Sequence, residues 1–367
     1  MAGVYIHIPF CKRRCAYCDF FSTTLLERRD EYIEALLREA SERKHETSEP
    51  IQTIYIGGGT PSILETNQIE RIVRLFDTLD TEEITMELNP GDATQTYLHQ
   101  LRATGVNRLS IGIQSFQNNL LRLIGRRHNA QEAREAVQMA QEAGFDNLSV
   151  DLMYALPTQT QSQWQEDIET ALGLGVQHIS SYGLMYEEGT PLTRMRDEGQ
   201  IAPIDEDEEN AMYDYLCERL KQAGFVHYEV SNFALPGYES KHNSNYWNHT
   251  PYIGLGAGAH SLNGNIRSWN PDNLDTYIKG IMAHNLQREN ETLSERDLYN
   301  EKIMLGLRTS KGIDPKPVNM LLHNGREIIA EMTNSLKLLR YTEEGRIAAT
   351  PKGLHVLNRI IEELMID

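Results

Sequence analysis

Residues 51–79, IQTIYIGGGTPSILETNQIERIVRLFDTL, hold one complete structural unit. IQTIYI is an apolar run of strand composition, three glycines (Gly57, Gly58 and Gly59) end it, and from Asn67 the apolar residues fall at helical spacing. The order strand, glycine loop, helix recurs on both sides. Upstream, GVYIHIPF (3–10) reads as a strand and DEYIEALLREASER (30–43) as its helix. Downstream, strands are predicted in EEITMELNP (82–90), VNRLSIGIQSF (106–116), NLSVDLMYALP (147–157) and VQHISSYGLMY (176–186). Helical patterns separate them at 93–105, 129–145 and 162–175, and another follows around Cys217. Six consecutive βα units imply parallel strands with right-handed crossovers, in an open sheet or a curved one. The expected fold is therefore α/β, either open and doubly wound or curved into a partial (β/α)6 TIM-like barrel, with ligands at the C-terminal ends of the strands in both cases.

The unusual residues sit at those ends: a cysteine loop after the first strand, GGGTP after the second, ELNP after the third, IQSF after the fourth and DLMYALP after the fifth. Past residue 230 the repeat stops. Residues 231–290 are rich in Gly, Asn and aromatics and read as an ordered connecting segment between the 1–230 core and a helical domain at 291–367. In that last part, helical patterns flank a hairpin at RYTEEGRIAATPKG (340–353), which suggests a winged-helix-like shape.

Bulk properties exclude several classes. The net charge of −18 opposes a sequence-independent nucleic-acid binder. The 291–367 region, with 11 Lys plus Arg against 12 Asp plus Glu, has no basic recognition helix. No apolar run approaches the roughly 18–20 residues of a spanning helix, and a strand beginning by Val4 leaves no room for a leader. The expectation is a cytoplasmic protein, not an integral membrane one.

Of four cysteines, Cys11, Cys15 and Cys18 lie within YIHIPFCKRRCAYCDFF (5–21), while Cys217 sits on an amphipathic helix and reads as a core residue. In a reducing compartment such a cluster points to metal or redox chemistry. Structural zinc takes four protein ligands, and a 4Fe-4S cluster normally takes four cysteines. Three in a C-x3-C-x2-C loop suggest a cluster with one iron open to an amino and a carboxylate group. The glycines of YIGGGTPS let backbone N–H groups approach such a ligand; the bland alternative is a tight turn.

These motifs resemble the radical S-adenosyl-L-methionine (SAM) superfamily. YIHIPFC, GGGTP, E-x-NP (87–90), SIGIQSF (110–116) and DLMYALP (151–157) are similar, more narrowly, to the anaerobic coproporphyrinogen III oxidase-like family and its HemW heme-chaperone branch. The resemblance implies that Cys11, Cys15 and Cys18 bind a 4Fe-4S cluster and that Tyr5 and Tyr17 pack near SAM. It implies that Gly58, Gly59 and Thr60 contact the methionyl part and that Glu87 holds a polar end. Gln114, Arg126 and Asp151 would line the SAM pocket, and Met185 would make a backbone contact near the adenine. The alternatives are a strand-end carboxylate for Glu87, satisfied rim groups for Gln114 and Asp151, and a solvated helix start for Arg126.

Two features divide the branches. The oxidase carries a further cysteine two residues after the third, where this chain has Phe20. HNSNYW (242–247) fits the H-N-x-x-Y-W motif of the chaperone branch, with His242 as an axial ligand and Tyr246 and Trp247 against the macrocycle. His249 and His260 are rival ligands. The resemblance implies a chaperone that binds heme and delivers it to acceptor hemoproteins, membrane-associated ones among them, as a homodimer when the cluster is present. The alternative is an oxygen-independent coproporphyrinogen III oxidase or another radical SAM enzyme acting on a tetrapyrrole.

Overall fold

Six parallel strands lie side by side in chain order: β1 (Ala2–Ile8), β2 (Ile51–Gly58), β3 (Glu83–Leu88), β4 (Arg108–Gln114), β5 (Leu148–Tyr154) and β6 (His178–Gly183). The structure, a computed structural model, describes residues 2–47, 49–76 and 78–366. Helices at Arg29–Arg43, Thr66–Val73, Gln95–Ala103, Ala130–Glu142 and Gln161–Gly173 return the chain between strands. The second is shorter than its apolar pattern predicts. The Thr81 hydroxyl donates to the carbonyls of Ile51 (3.1 Å) and Phe76 (3.4 Å), and these bonds stabilise a turn where the pattern continues as helix.

The strands alternate in a way that sets the architecture. Val4, Ile6, Ile54, Ile56, Ile84, Met86, Leu109, Ile111, Leu148, Val150 and Ile179 are buried in one apolar core with the helices. The intervening positions, among them Tyr5, Thr53, Tyr55, Thr85, Glu87, Arg108, Ser110, Asp151 and Ser180, carry polar groups. Parallel sheets covered on both faces are normally apolar throughout. Here the sheet curves so that its second face encloses a polar lumen.

The segment 231–290, read above as connecting loops, instead completes both edges of the same sheet. β7 (Val226–Glu229) and β8 (Asn232–Ala234) add antiparallel beyond β6. At the other edge β9 (Tyr252–Leu255) joins β1 in parallel, and β10 (His260–Asn263), β11 (Ile266–Trp269) and β12 (Glu289–Thr292) follow antiparallel. These strands have only three or four residues, too few for a period to show. Gly254 permits the tightest approach: a Cβ there would lie 1.8 Å from the His260 carbonyl oxygen.

Residues 295–364 form helices around a hairpin, β13 (Leu339–Tyr341) with β14 (Ile347–Ala349), over a separate apolar core. They attach at the β7 side, where Val230 N–H donates to the Arg308 carbonyl (2.8 Å) and Ser310 N–H to that of Tyr228 (3.0 Å).

The short helix Lys241–Trp247 sits at the N-terminal end of the barrel strands. The buried Glu83 carboxylate accepts from the N–H groups of Lys241 (2.9 Å) and His242 (3.0 Å), satisfying orphan donors of the helix start. Asn245 Nδ2 donates to Thr53 Oγ1 (3.2 Å). We expect Glu83→Ala to cost about 2–3 kcal/mol in denaturant unfolding, because it strands two buried backbone donors. Amide exchange at 241–247 should accelerate more than in the barrel helices; uniform acceleration would mean that Glu83 does not anchor this helix.

Candidate functional site

The cysteine loop is pinned at each end. Cys11 N–H donates to the Thr23 carbonyl (2.8 Å) and Thr23 N–H to that of Pro9 (2.6 Å). Ala16 N–H donates to the Ile124 carbonyl and its own carbonyl accepts from Leu192 N–H, both at 2.9 Å. Lys12 and Arg127 converge on Asp92 at 2.7 and 2.8 Å. Burial opposes the Asp92 charge, but the two cations outweigh it and hold the carboxyl below its ordinary range.

All four cysteines are free thiols. Thr60 Oγ1 donates to Cys11 Sγ (3.4 Å) and Arg126 Nη1 to Cys15 Sγ (3.4 Å). Arg126 also donates to the Gly112 carbonyl, so it faces the cysteine loop rather than solvent. Burial is the main cause raising the Cys11 and Cys18 thiols, and each also feels the neighbouring thiols. Among the described residues, no three His, Cys, Asp or Glu side chains converge on a single-ion site. Cys217 is elsewhere: its thiol is pushed up to about 12, chiefly by burial, and it packs against the main core.

Glycine makes the loop's approach to β2 possible. A Cβ on Gly59 would lie 2.8 Å from the Phe10 carbonyl oxygen and 3.0 Å from Cys11 Sγ. Gly58 has φ +114°, and a Cβ there would meet His7 Cε1 at 2.6 Å. The Gly58 N–H donates to Glu87 Oε2 (3.0 Å) and the Tyr55 hydroxyl to Glu87 Oε1 (3.0 Å). Glu87 is held up at about 7, by burial first and then by Asp151. Asp151 is also raised by burial, although Ser110 Oγ donates to it at 3.0 Å. Gln114 lies at a bulge in β4 with φ +74°, a strained conformation that aims it beside Gly112 and Arg126.

One cavity of about 480 Å³ runs through the lumen. Every residue assigned above to the cluster or to SAM lines it except Tyr5, which stands one step behind, stacked on Tyr55 with its hydroxyl 2.9 Å from His7 Nδ1. Exposed Phe20 and Met185 flank the mouth. Tyr55, Arg108, Ser110, Ser180, Tyr182 and Asn243 also line it, and the sequence reading missed them. The polar alternation within β2, β4 and β6 was the available signal.

The HNSNYW residues lie on the helix Lys241–Trp247, at the opposite end of the strands from the cysteine loop. His242 is buried, with Nδ1 2.8 Å from Thr53 Oγ1 and Nε2 2.9 Å from the Tyr246 hydroxyl. Its ring stacks on Tyr55 at 5.2 Å. Burial, and secondarily Arg108, lowers its pKa to about 3, so the imidazole is neutral. Neither ring nitrogen is free for a metal in this conformation. Tyr246 packs edge-on against Tyr252, and the Trp247 indole N–H is buried without a partner. His260 is exposed and stacks on Trp269, while His249 lies 3.6 Å from Glu301.

Residues 5–171 match the radical SAM superfamily model. Over its full length the chain is 38% identical to the heme chaperone HemW of Lactococcus lactis, covering 97% of that protein. It is 36% identical to HemW of Bacillus subtilis, over 86% of each chain. The chain belongs to the HemW family of radical SAM proteins. Its fold matches the coproporphyrinogen III oxidase HemN of Escherichia coli with a TM-score of 0.81 at 23% identity, over 99% of this chain and 90% of that one. Superfamily membership implies a 4Fe-4S cluster and SAM, and the residues fit the pair: three free thiols on a pinned loop, a glycine cradle that a Cβ would fill, and a buried polar lumen beneath them.

Two outcomes are expected at this site. Gly59→Ala should fold but take up less than half the wild-type iron and sulfide on anaerobic reconstitution, since its Cβ displaces the Cys11 loop; full uptake would show that the loop tolerates the displacement. Glu87 has a folded pKa above its unfolded one, so the fold loses stability as pH rises from about 4.5 towards about 7. Cluster-free Glu87→Gln should therefore exceed wild type near neutral and alkaline pH by on the order of 2 kcal/mol in denaturant melts. The gap should close near the unfolded value, and a pH-independent gap would contradict this electrostatic origin.

Proposed function

We propose that this protein is a heme chaperone: it binds heme and passes it to acceptor hemoproteins, and it does not oxidise coproporphyrinogen III. The observation that carries the reading is full-length similarity to HemW proteins, joined to the chain's own HNSNYW segment and to Phe20 at the position of the oxidase's further cysteine. Cys11, Cys15 and Cys18 would hold the cluster, and the loop offers no fourth cysteine. Gly58, Gly59, Thr60, Glu87, Gln114, Arg126 and Asp151 form the SAM seat, with Tyr5 and Tyr17 as packing and Met185 at the mouth. When bound, the cluster supplies an electron and a coordination position for SAM.

The protein's own part is orientation and water exclusion. Thr60 and Arg126 donate to the cysteine sulfurs, and hydrogen bonds to the sulfurs tune a cluster's potential. Glu87 and Asp151 supply carboxylates in a desolvated lumen, where a cationic ligand is favoured. His242 would hold heme only by giving up its hydrogen bond to the Tyr246 hydroxyl, and Tyr246 would then be available to pack on the macrocycle. The family resemblance adds a cluster-dependent homodimer and a cytoplasmic setting. No helix among the described residues is long and apolar enough to cross a membrane.

Reconstituted protein should bind hemin with a defined Soret band and transfer it to an apo-hemoprotein. With SAM and a reductant it should leave coproporphyrinogen III unreacted. His242→Ala should lose at least about tenfold in hemin affinity; unchanged affinity moves the ligand to His249 or His260. Steady decarboxylation of coproporphyrinogen III would replace the chaperone reading with the oxidase.

A further inference from the structure

Asp167 is a carboxylate in an apolar place. It lies fully buried on the helix Gln161–Gly173, on the face whose Trp164, Ile168 and Ala171 belong to the main core. Among the described residues no cation pairs with it, and burial pushes its carboxyl up to about 6. Its partners all belong to one turn outside the lumen. Ser115 Oγ donates to Asp167 Oδ2 (2.7 Å), Phe116 N–H to Oδ1 (2.8 Å) and Gln117 Nε2 to Oδ1 (3.4 Å). Ser115 Oγ also accepts from Gln117 N–H (3.0 Å), which closes the set. Neither Asp167 nor any of these three residues lines the cavity.

The residue immediately before that turn is Gln114. The pairing of β4 with β5 skips one residue there, so that Gly112 pairs with Asp151 and Gln114 with Leu152. Leu152 belongs to the core, whereas Gln114 lines the lumen. The bulge and the left-handed φ of +74° are what turn the Gln114 side chain away from the face its register partner takes. Such a φ is unfavourable for a residue with a Cβ and persists only where the surroundings over-determine it. Strand pairing holds Gln114 on one side, and on the other side the fixed point is Asp167. We propose that Asp167 is a positioning residue: from behind the sheet it holds the turn 115–117 and so keeps the Gln114 carboxamide in the lumen, beside Gly112 and Arg126. That carboxamide has no hydrogen-bond partner among the described residues, so its donor and acceptor are free for a polar ligand. The consequence for ligand binding rests on the SAM seat proposed above, whereas the coupling of Asp167 to Gln114 does not.

The test is a pair of double-mutant cycles on the full-length protein, one read by SAM titration after cluster reconstitution and one by denaturant unfolding without the cluster. Asp167→Ala should take up iron and sulfide as wild type does and bind SAM at least about tenfold more weakly. In a Gln114→Ala background the same change should alter SAM affinity by less than about twofold, because the group it positions is gone. Asp167→Asn should retain most of the affinity, since its carboxamide oxygen can still accept from Phe116 N–H. A group that only satisfied the turn would lower stability and leave SAM affinity alone. Wild-type affinity in Asp167→Ala, or an equal loss with and without the Gln114 side chain, therefore overturns the proposal. In unfolding, releasing the left-handed backbone returns part of what Asp167→Ala loses, and Gln114→Gly has no such strain to release. Asp167→Ala should then lower the unfolding midpoint more in Gln114→Gly than in wild type. If Asp167→Ala does not fold, Ser115→Ala, which removes the 2.7 Å bond, replaces it in both cycles. Wild type that binds no SAM defeats the proposed seat and leaves the unfolding cycle to judge Asp167: a larger midpoint loss in Gln114→Gly supports the coupling, and an equal or smaller one overturns it.

Discussion

The structure depends on a curved parallel sheet whose concave face is polar. Alternate residues of β1 to β6 supply an apolar layer beneath the helices and a polar layer around a lumen of about 480 Å³. Burial of the outer layer stabilises the fold by about 25 cal/mol per Å² of apolar surface. The inner layer contributes little of that kind and must satisfy its own hydrogen bonds. Most of it does so in closed sets across strands: Tyr55, Glu87 and Gly58; Ser110 and Asp151; Ser149, His178 and Tyr228.

The two ends of that lumen are built differently. At the C-terminal ends of the strands, the cysteine loop is pinned by backbone bonds, by the Asp92 clamp and by a glycine that leaves room for Cys11. At the N-terminal ends, the helix Lys241–Trp247 plugs the barrel, seated on Glu83 and stacked through His242 on Tyr55. The proposed SAM seat lines the lumen, while the proposed heme residues His242, Tyr246 and Trp247 lie behind its wall. Asn243, between His242 and Tyr246 in sequence, already lines it. A ligand change at His242 would be felt directly at Tyr55 and, through its hydroxyl, at Glu87.

Much of this arrangement was legible in the sequence. The six βα units, their order and the placement of the unusual loops on one rim follow from periods of 2 and 3.6 repeated without interruption. The cysteine spacing pointed to its chemistry because three closely spaced thiols have few other uses. Residues 252–292 were not legible as strands, since four-residue segments such as YIGL and HSLN carry too few positions to show alternation. His242 was legible as a motif residue but not as a buried one. Its burial comes from Thr53, Tyr55 and Glu83, between 159 and 189 positions earlier, and no local pattern encodes that meeting.

Charge inside the lumen also separates function from stability. Glu87 and Asp151 hold their protons more tightly than free carboxyls, and the buried Arg108 Nε has no hydrogen-bond partner. Each would be cheaper to the fold as a neutral group of similar size, since replacing a buried charge by a well-packed neutral residue is often stabilising. Their presence is therefore not explained by the folded chain alone. A ligand that brings a cation to Glu87 and Asp151 offsets the cost of their charged forms, and its binding free energy then appears as added stability of the loaded protein. By such linkage an empty barrel would be the less stable state, even if no backbone moved on loading.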